Sequence, residues 1–303
     1  SRAIATTRFL VTTTREHLWP ASRLVRAERI WQLALQLSSQ AQASGSLVPL
    51  ATEVLEAPQH QPFVLRRLLS TTPKHLRRGG PKPNPFLPWE QALEVERLSS
   101  GHVVLLNKYP VQAGHLLLIT DSWQPQSGWL SADDWRGVSL LASDTGGLWF
   151  FNSCAASGAS QPHRHLQLLP RRAGEASTPL STAIQVQLDR GERPWPWAYR
   201  LSRRTDAHGG RDLPALYLEH AEQLGLGYPH QDAQPRHPYN LLFDDNWLLT
   251  VRRTQEHCAG FSLNALAFAG YLLATERSDL ELLEREGPWS LLQAVAAAPD
   301  KHL

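Results

Sequence analysis

Two short apolar runs, Val103–Leu106 and His115–Ile119, lie only a few residues apart, with Pro110 and Gly114 between them. Neither run is long enough for a helix, and the proline and glycine between them supply a turn, so this stretch predicts a β-hairpin. The same grammar recurs downstream. Leu148–Asn152 and His163–Leu169, the latter closed by Pro170, read as strands. Tyr239–Phe243 and Trp247–Val251 flank Asp244-Asp245-Asn246, a good hairpin turn. Helical spacing predicts helices over Val25–Gln42, ended by Ser44-Gly45, from Ser131 to Gly146-Gly147, over Leu213–Leu226, over Leu263–Thr275 behind a Ser262 cap, and over Trp289–Ala297. Strands and helices come in blocks without strict alternation and without an internal repeat. That pattern predicts an α+β fold built on an antiparallel sheet.

With 303 residues, 42% of them hydrophobic, the chain has the length of one large domain or two modest ones and can bury a full core. A disordered tail, a collagen-like fibre and a disulfide-stapled module are excluded. A net charge of +2 argues against general binding to nucleic acid or a membrane surface. Cys154 and Cys258 are too few for a disulfide framework and read as thiols in a reducing compartment. No apolar run nears the ~20 residues of a membrane span, and Phe9–Thr12 is too short for a secretory core, so the cytoplasm is the expected location. Residues 1–25 read as a loosely attached arm, Pro73–Pro88 as an extended loop, and 171–212 as a connecting segment or lid. Only four of the 30 basic residues are lysines (Lys74, Lys82, Lys108 and Lys301), which makes each one conspicuous.

The stretch Phe150–Gln167 reads as strand, small-residue loop, strand. Alternation on a strand sends His163, His165 and Gln167 to one face, and Arg164, Leu166 and Leu168 to the other. A loop of small residues, Ser157 to Gln161, can bring N–H groups and hydroxyls close to an anion. A neutral imidazole beside bound phosphates can attack phosphorus. Spacing alone leaves three readings open: a nucleophile, a His-x-His zinc pair with His115 as the best-placed third ligand, or structural histidines.

Gly158-Ala159-Ser160-Gln161-Pro162-His163-Arg164-His165-Leu166-Gln167 resembles the signature of diadenosine tetraphosphate phosphorylases, also called ATP adenylyltransferases, in the histidine-triad superfamily. Further segments look familial in the same order: Ser44–Glu53, Asn84-Pro85-Phe86, Leu105–Tyr109 with His115-Leu116-Leu117, Tyr239–Leu242 and Ser262–Gly270. The resemblance spans about residues 30 to 300. It implies a histidine-triad-like antiparallel sheet with flanking helices, with 26–180 and 181–303 as the N- and C-terminal parts of one catalytic unit.

The resemblance also implies a chemistry. His165 would attack the α-phosphorus of diadenosine tetraphosphate, expel ATP and hold AMP, which inorganic phosphate then removes as ADP. His163 would support it and Gln167 would contact the phosphoryl oxygens. Ser157, Gly158, Ala159, Ser160 and Gln161 would line the phosphates. Asn107, Lys108, Asn152, Asn240, Leu241, Leu242 and Trp247 would surround the nucleotide. Lys74 stands near the place of a usual family lysine, and Val251-Arg252-Arg253 stands where the family often reads Val-Pro-Arg. Mg²⁺ is expected with the polyphosphate, and no metal held by the protein. The same His-x-His-x-Gln occurs in the uridylyltransferase branch, so a sugar-nucleotide transferase or phosphorylase is the alternative enzyme. A zinc-bound structural or nucleic-acid-binding module is the alternative outside enzymes.

Overall fold

The computed structural model describes residues 25–70, 84–206 and 209–301. Most of the expected N-terminal arm, Lys74 and most of the Pro73–Pro88 loop lie outside the described residues. The N-terminal half carries α1 (Arg29–Ser44), β1 (Thr52–Leu55), β2 (Val64–Leu68), β3 (Glu94–Leu98), β4 (His102–Leu106), β5 (Leu116–Thr120), α2 (Ala132–Asp144), β6 (Gly147–Asn152) and β7 (His165–Pro170). The C-terminal half carries α3 (Ser181–Arg190), β8 (Tyr199–Arg203), α4 (Leu213–Gln223), β9 (Tyr239–Phe243), β10 (Trp247–Arg252), β11 (His257–Cys258), β12 (Phe261–Ser262), α5 (Ala265–Ala269), β13 (Tyr271–Ala274), α6 (Leu280–Glu286) and α7 (Pro288–Val295).

Eight strands form one sheet in the order β3-β4-β5-β7-β6-β9-β10-β8. Every neighbouring pair in it is antiparallel. Strands from both halves of the chain share this sheet, so the division at 180/181 cuts no structural layer apart. β4 and β5 are buried on both faces, as continuous apolar runs in a central position require. On one face Val104, Leu106, Leu116, Leu118, Leu166 and Leu168 pack with residues of α1, α2 and α4. On the other, Val103, Leu105, Leu117 and Ile119 lie under Phe86. Beyond them Leu148, Phe150, Leu242, Leu249 and Val251 pack with α3, α5 and α7. Each fully buried leucine or phenylalanine contributes ~1.5–3 kcal/mol relative to exposure.

The helix ends follow the sequence signals where those are strong. Ser131 and Asp134 form a reciprocal capping box on α2, and Gly45 ends α1 in the left-handed conformation.

Two expectations are corrected. Leu263–Thr275 is not one helix: Asn264 caps the five-residue α5, Gly270 at φ 107° ends it, and Tyr271–Ala274 becomes β13, paired in parallel with β2. A continuous apolar run fits helix and strand alike, and the glycine decides between them. Residues 171–212 are not a connector or lid. They contain α3 and β8, the edge strand beside β10. Both elements are half exposed and mix polar with apolar residues, so their apolar period is faint. Strands β1, β2 and β3 were also not expected.

Candidate active site

β7 runs between β5 and β6, with His165 opposite Ile119 and Gln167 opposite Leu117. Those partners belong to the face beneath Phe86, so His165 and Gln167 project there together. Arg164 goes the other way, pairing with Asp134 at 3.1 Å, and Leu166 and Leu168 enter the opposite core. The expected division of faces holds.

His163 precedes β7 and is anchored at both ring nitrogens. Its Nε2–H donates to the Thr120 carbonyl at 2.8 Å, and its Nδ1 accepts from the Asn84 amide at 3.2 Å. Its own carbonyl accepts from His165 Nδ1 at 2.7 Å. A carbonyl can only accept, so the proton of His165 sits on Nδ1 and the Nε2 lone pair is left bare. Among the described residues no hydrogen bond engages Nε2. Burial pushes the His165 pKa down to about 4, and burial likewise lowers that of His163. His165 is therefore neutral at pH 7, with its Nε2 lone pair fixed in place by the fold. The Phe86 ring stands edge-on to His163 and His165 at 5.7 and 5.5 Å, leaving His165 only 3% exposed.

Gln167 is oriented by His115, which the sequence offers as a possible zinc ligand and as part of a familial segment without a stated role. Gln167 Oε1 accepts from His115 Nε2 at 2.8 Å, which turns the Gln167 NH₂ group away from His115, with no acceptor for it among the described residues. His115 Nδ1 accepts from the Val111 N–H at 3.3 Å, and the Asn107 amide lies at 3.4 Å. Burial lowers its pKa to about 4. Both ring nitrogens are occupied, which speaks against zinc. Among the described residues no cluster of three or more His, Cys, Asp or Glu side chains could hold a metal.

The small-residue loop is built differently from the expectation. The N–H groups of Ser157, Gly158 and Ala159 bond to the carbonyls of Cys154, Ala155 and Cys154, each at 3.0 Å. The Ser157 hydroxyl is fully buried and accepts from Cys154 N–H. These three residues shape the loop and offer no free backbone donor. Gly158, at φ 98°, passes so close to Asn264 that an added Cβ would lie 2.5 Å from its Cβ. Ser160 is exposed. Gln161 is half buried, and its Oε1 is buried without a partner.

Behind the loop lies a buried amide network. Asn240 donates to Asn152 Oδ1 at 2.8 Å and to the Ser157 carbonyl at 2.9 Å. Its Oδ1 accepts from Arg253 at 2.6 Å. Arg253, which the motif comparison left without a role, also donates to the carbonyls of Leu263, Gln255 and Val295. Burial pulls its pKa down to about 10, so it stays charged at pH 7. Asn152 and Asn240 thus brace the loop from behind. Leu241, Leu242 and Trp247 are fully buried in the two cores, and the structure gives their side chains no open surface toward a nucleotide. Asn107 lies beside His115, and Lys108 pairs with Glu90 at 2.8 Å at the surface.

Comparison with known proteins fits this geometry. The family model described as Ap4A phosphorylase N-terminal domain matches residues 20–186, where Ap4A is diadenosine tetraphosphate. That described as ATP adenylyltransferase C-terminal domain matches residues 193–298. The chain belongs to the Ap4A phosphorylase family. The Saccharomyces cerevisiae diadenosine 5',5'''-P1,P4-tetraphosphate phosphorylase 2 is 26% identical over 237 residues, covering 67% of this chain and 72% of that protein. Protein APA1 of the same yeast is 38% identical over 78 residues, 23% of this chain and 24% of that protein. The crystal structure of yeast Ap4A phosphorylase Apa2 in complex with Ap4A superposes with a TM-score of 0.70 at 20% identity, covering 91% of this chain and 99% of that one. The Apa2 complex with AMP gives 0.69 at 21% identity, covering 91% and 100%. Apa2 and this chain share the α+β fold over that 91% of the chain.

Proposed function

We propose that the protein cleaves diadenosine tetraphosphate with inorganic phosphate to ATP and ADP, reversibly, through an adenylyl group carried on His165. The observation that carries this reading is the His165 Nδ1–His163 carbonyl bond, which leaves Nε2 unprotonated and neutral, with no partner among the described residues. In the first step Nε2 forms a bond to an α-phosphorus and the bond from that phosphorus to the bridging oxygen breaks. ATP leaves with the electron pair. In the second step a phosphate oxygen attacks the same phosphorus, the P–N bond breaks, and ADP departs with His165 neutral again.

The Gln167 NH₂ group, held by His115, is placed to donate to the non-bridging oxygens as charge gathers on them. Because His165 is nearly covered by Phe86, the Asn84–Phe86 segment must shift for phosphorus to reach Nε2. Lys108 supplies a cation at the surface near Asn107, and Lys74 is a further cation in the reading from family resemblance. Mg²⁺ would travel with the polyphosphate, where hard oxygen ligands hold it best.

The described residues include no helix long and apolar enough to cross a membrane, and the nucleotide substrates fit a cytoplasmic enzyme. No observation favours the sugar-nucleotide alternative.

The test is intact-protein mass after mixing with diadenosine tetraphosphate in the absence of phosphate. A gain of one AMP, released by phosphate and absent in His165→Ala, is expected. Substrate turnover with no adduct, or an adduct that persists in His165→Ala, would refute the assignment.

A further inference from the structure

The ladder between β6 and β7 stops short of the nucleophile. Pairing runs from Gly147↔Pro170 to Phe150↔Gln167, and the same register carried two residues further would set Asn152 opposite His165. Instead Asn152 continues along β9, opposite Asn240, and the carboxamide of Gln126 stands between Asn152 and His165. Its Oε1 accepts from the His165 N–H at 2.8 Å. Its Nε2 donates to the Asn152 carbonyl at 2.7 Å and to the His165 carbonyl at 3.2 Å. Only one orientation of the amide satisfies all three, because a flip would set donor against donor and acceptor against acceptor. Gln126 is 3% exposed, so none of these groups could turn to water instead.

The turn that presents Gln126 is itself tied to the same segment. Gln126 N–H donates to the Pro162 carbonyl at 2.8 Å, and Arg164 N–H to the Gln124 carbonyl at 2.9 Å. Pro125 bridges His163. Paired strands lie ~4.8 Å apart, too close to admit an amide bonded on both sides, so β6 and β7 must part at this level. The loop 153–161 springs from that opening. A backbone rung here would zip Asn152 onto His165 and pull the loop closed.

We propose that Gln126 is a positioning residue for adenylyl transfer: its side chain replaces one rung of the sheet, parting the strands beside His165 while holding the nucleophile's own backbone. This rests on the reading of His165 as nucleophile. Gln126 touches no reacting atom. It acts by fixing both the N–H and the carbonyl of the residue whose Nε2 must meet phosphorus in line. Misplacement of a reacting group by ~1 Å costs ~100-fold in rate.

Three proteins test this: wild type, Gln126→Met, which keeps the shape and loses the bonds, and Gln126→Glu. The readouts are the single-turnover rate of AMP adduct formation, KM for diadenosine tetraphosphate, thermal midpoint, and the pH dependence of the rate. For Gln126→Met the adduct rate should fall ~10–100-fold while KM stays within ~3-fold, a split that lost stability alone would not produce. For Gln126→Glu a carboxylate would face two carbonyls at neutral pH. Protonation restores one donor, so its rate should rise as pH falls from 8 to 5.5, a range over which the wild-type rate stays level.

A Gln126→Met rate within ~3-fold of wild type at a lowered thermal midpoint would overturn the positioning role, as would a Gln126→Glu profile parallel to wild type. If Gln126→Met does not fold, the Gln126→Glu profile decides. A wild type that forms no adduct overturns the His165 reading and this role with it; normal wild-type adduct with unaffected variants overturns this role alone.

Discussion

β7 and the β9–β10 hairpin resemble one another in sequence: each is a short run of strand formers carrying a polar residue, and the family pattern marks both as nucleotide contacts. The fold uses them in opposite ways. β7 presents His165 and Gln167 on a face beneath Phe86, with Nε2 and an amide donor unpaired among the described residues. The hairpin buries both of its faces, with Leu241 in one core and Leu242, Trp247 and Leu249 in the other. The amide of Asn240 in its first strand is spent on Asn152, Ser157 and Arg253. A recurring motif therefore marks what the site needs without saying whether a residue touches substrate or supports those that do. Burial and hydrogen-bond saturation make that distinction.

The largest expected effects set the two strands against each other. His165→Ala should lower phosphorolysis by ~10⁴-fold or more, in line with the loss of a covalent nucleophile, with little change in thermal midpoint. Leu242→Ala should do the reverse. Removing a fully buried leucine side chain costs ~2–5 kcal/mol, read as a lower urea midpoint at unchanged slope, while KM at a temperature where the variant is folded stays at the wild-type value. A KM change in Leu242→Ala without loss of stability would return the hairpin to the nucleotide site.

The same contrast explains how far the sequence could be read. The β4–β5 and β9–β10 hairpins, the Ser131 cap and the face alternation of His165 and Gln167 are local: each is decided by residues within a few positions of one another. The supports of the site are not. His165 is held by Gln126 across 39 positions, Gln167 by His115 across 52, and Ser157 by Arg253 across 96. No periodicity reports such contacts. Residues 171–212 conceal their elements for another reason. β8 is an edge strand with Arg200 half-buried and Arg203 exposed, and α3 buries Ser181, Ile184 and Gln187, so neither shows the apolar stripe that marks an element. Leu263–Thr275 failed because five helical residues and four strand residues form one apolar run.

Within β7, Gln167→Met should cost ~100-fold in kcat with a smaller change in KM, the size of losing one donor to developing charge. His115→Phe should approach the same value, because Gln167 is then free to turn. An effect of His115→Phe far larger than that of Gln167→Met would give His115 a task of its own.

The buried histidines also set a pH response. His165 and His115 titrate at about 4 in the folded protein and His220 at about 3, against 6.5 for an ordinary histidine. Between pH 6.5 and 4 the unfolded chain binds protons at these sites and the native chain does not. Stability is therefore present above 6.5 and lost as pH falls toward 4, by up to ~1.4 kcal/mol per unit for each histidine. kcat/KM should keep its His165-dependent component down to about pH 4, where protonation removes the lone pair. An acid limb near 6.5 that Phe86→Ala leaves in place would mean that burial does not set the nucleophile's pKa.

The smallest effect belongs to Lys108, which tests the surface rim against the buried wall. Its ammonium pairs with Glu90 at 2.8 Å, both side chains are 40% or more exposed, and the hydrogen bond to Glu90 raises its pKa. An exposed pair of this kind is worth under ~1 kcal/mol, so Lys108→Met should leave the thermal midpoint nearly unchanged. If Lys108 leaves Glu90 for a phosphate of the substrate, Lys108→Met should raise KM by a few-fold, and Glu90→Gln should lower it by removing the competing carboxylate. Both shifts should shrink in high salt, because screening weakens an exposed contact more than the buried His115–Gln167 bond. Equal KM in Lys108→Met and Glu90→Gln would place this pair outside the nucleotide's reach and leave recognition to β7 and its loop.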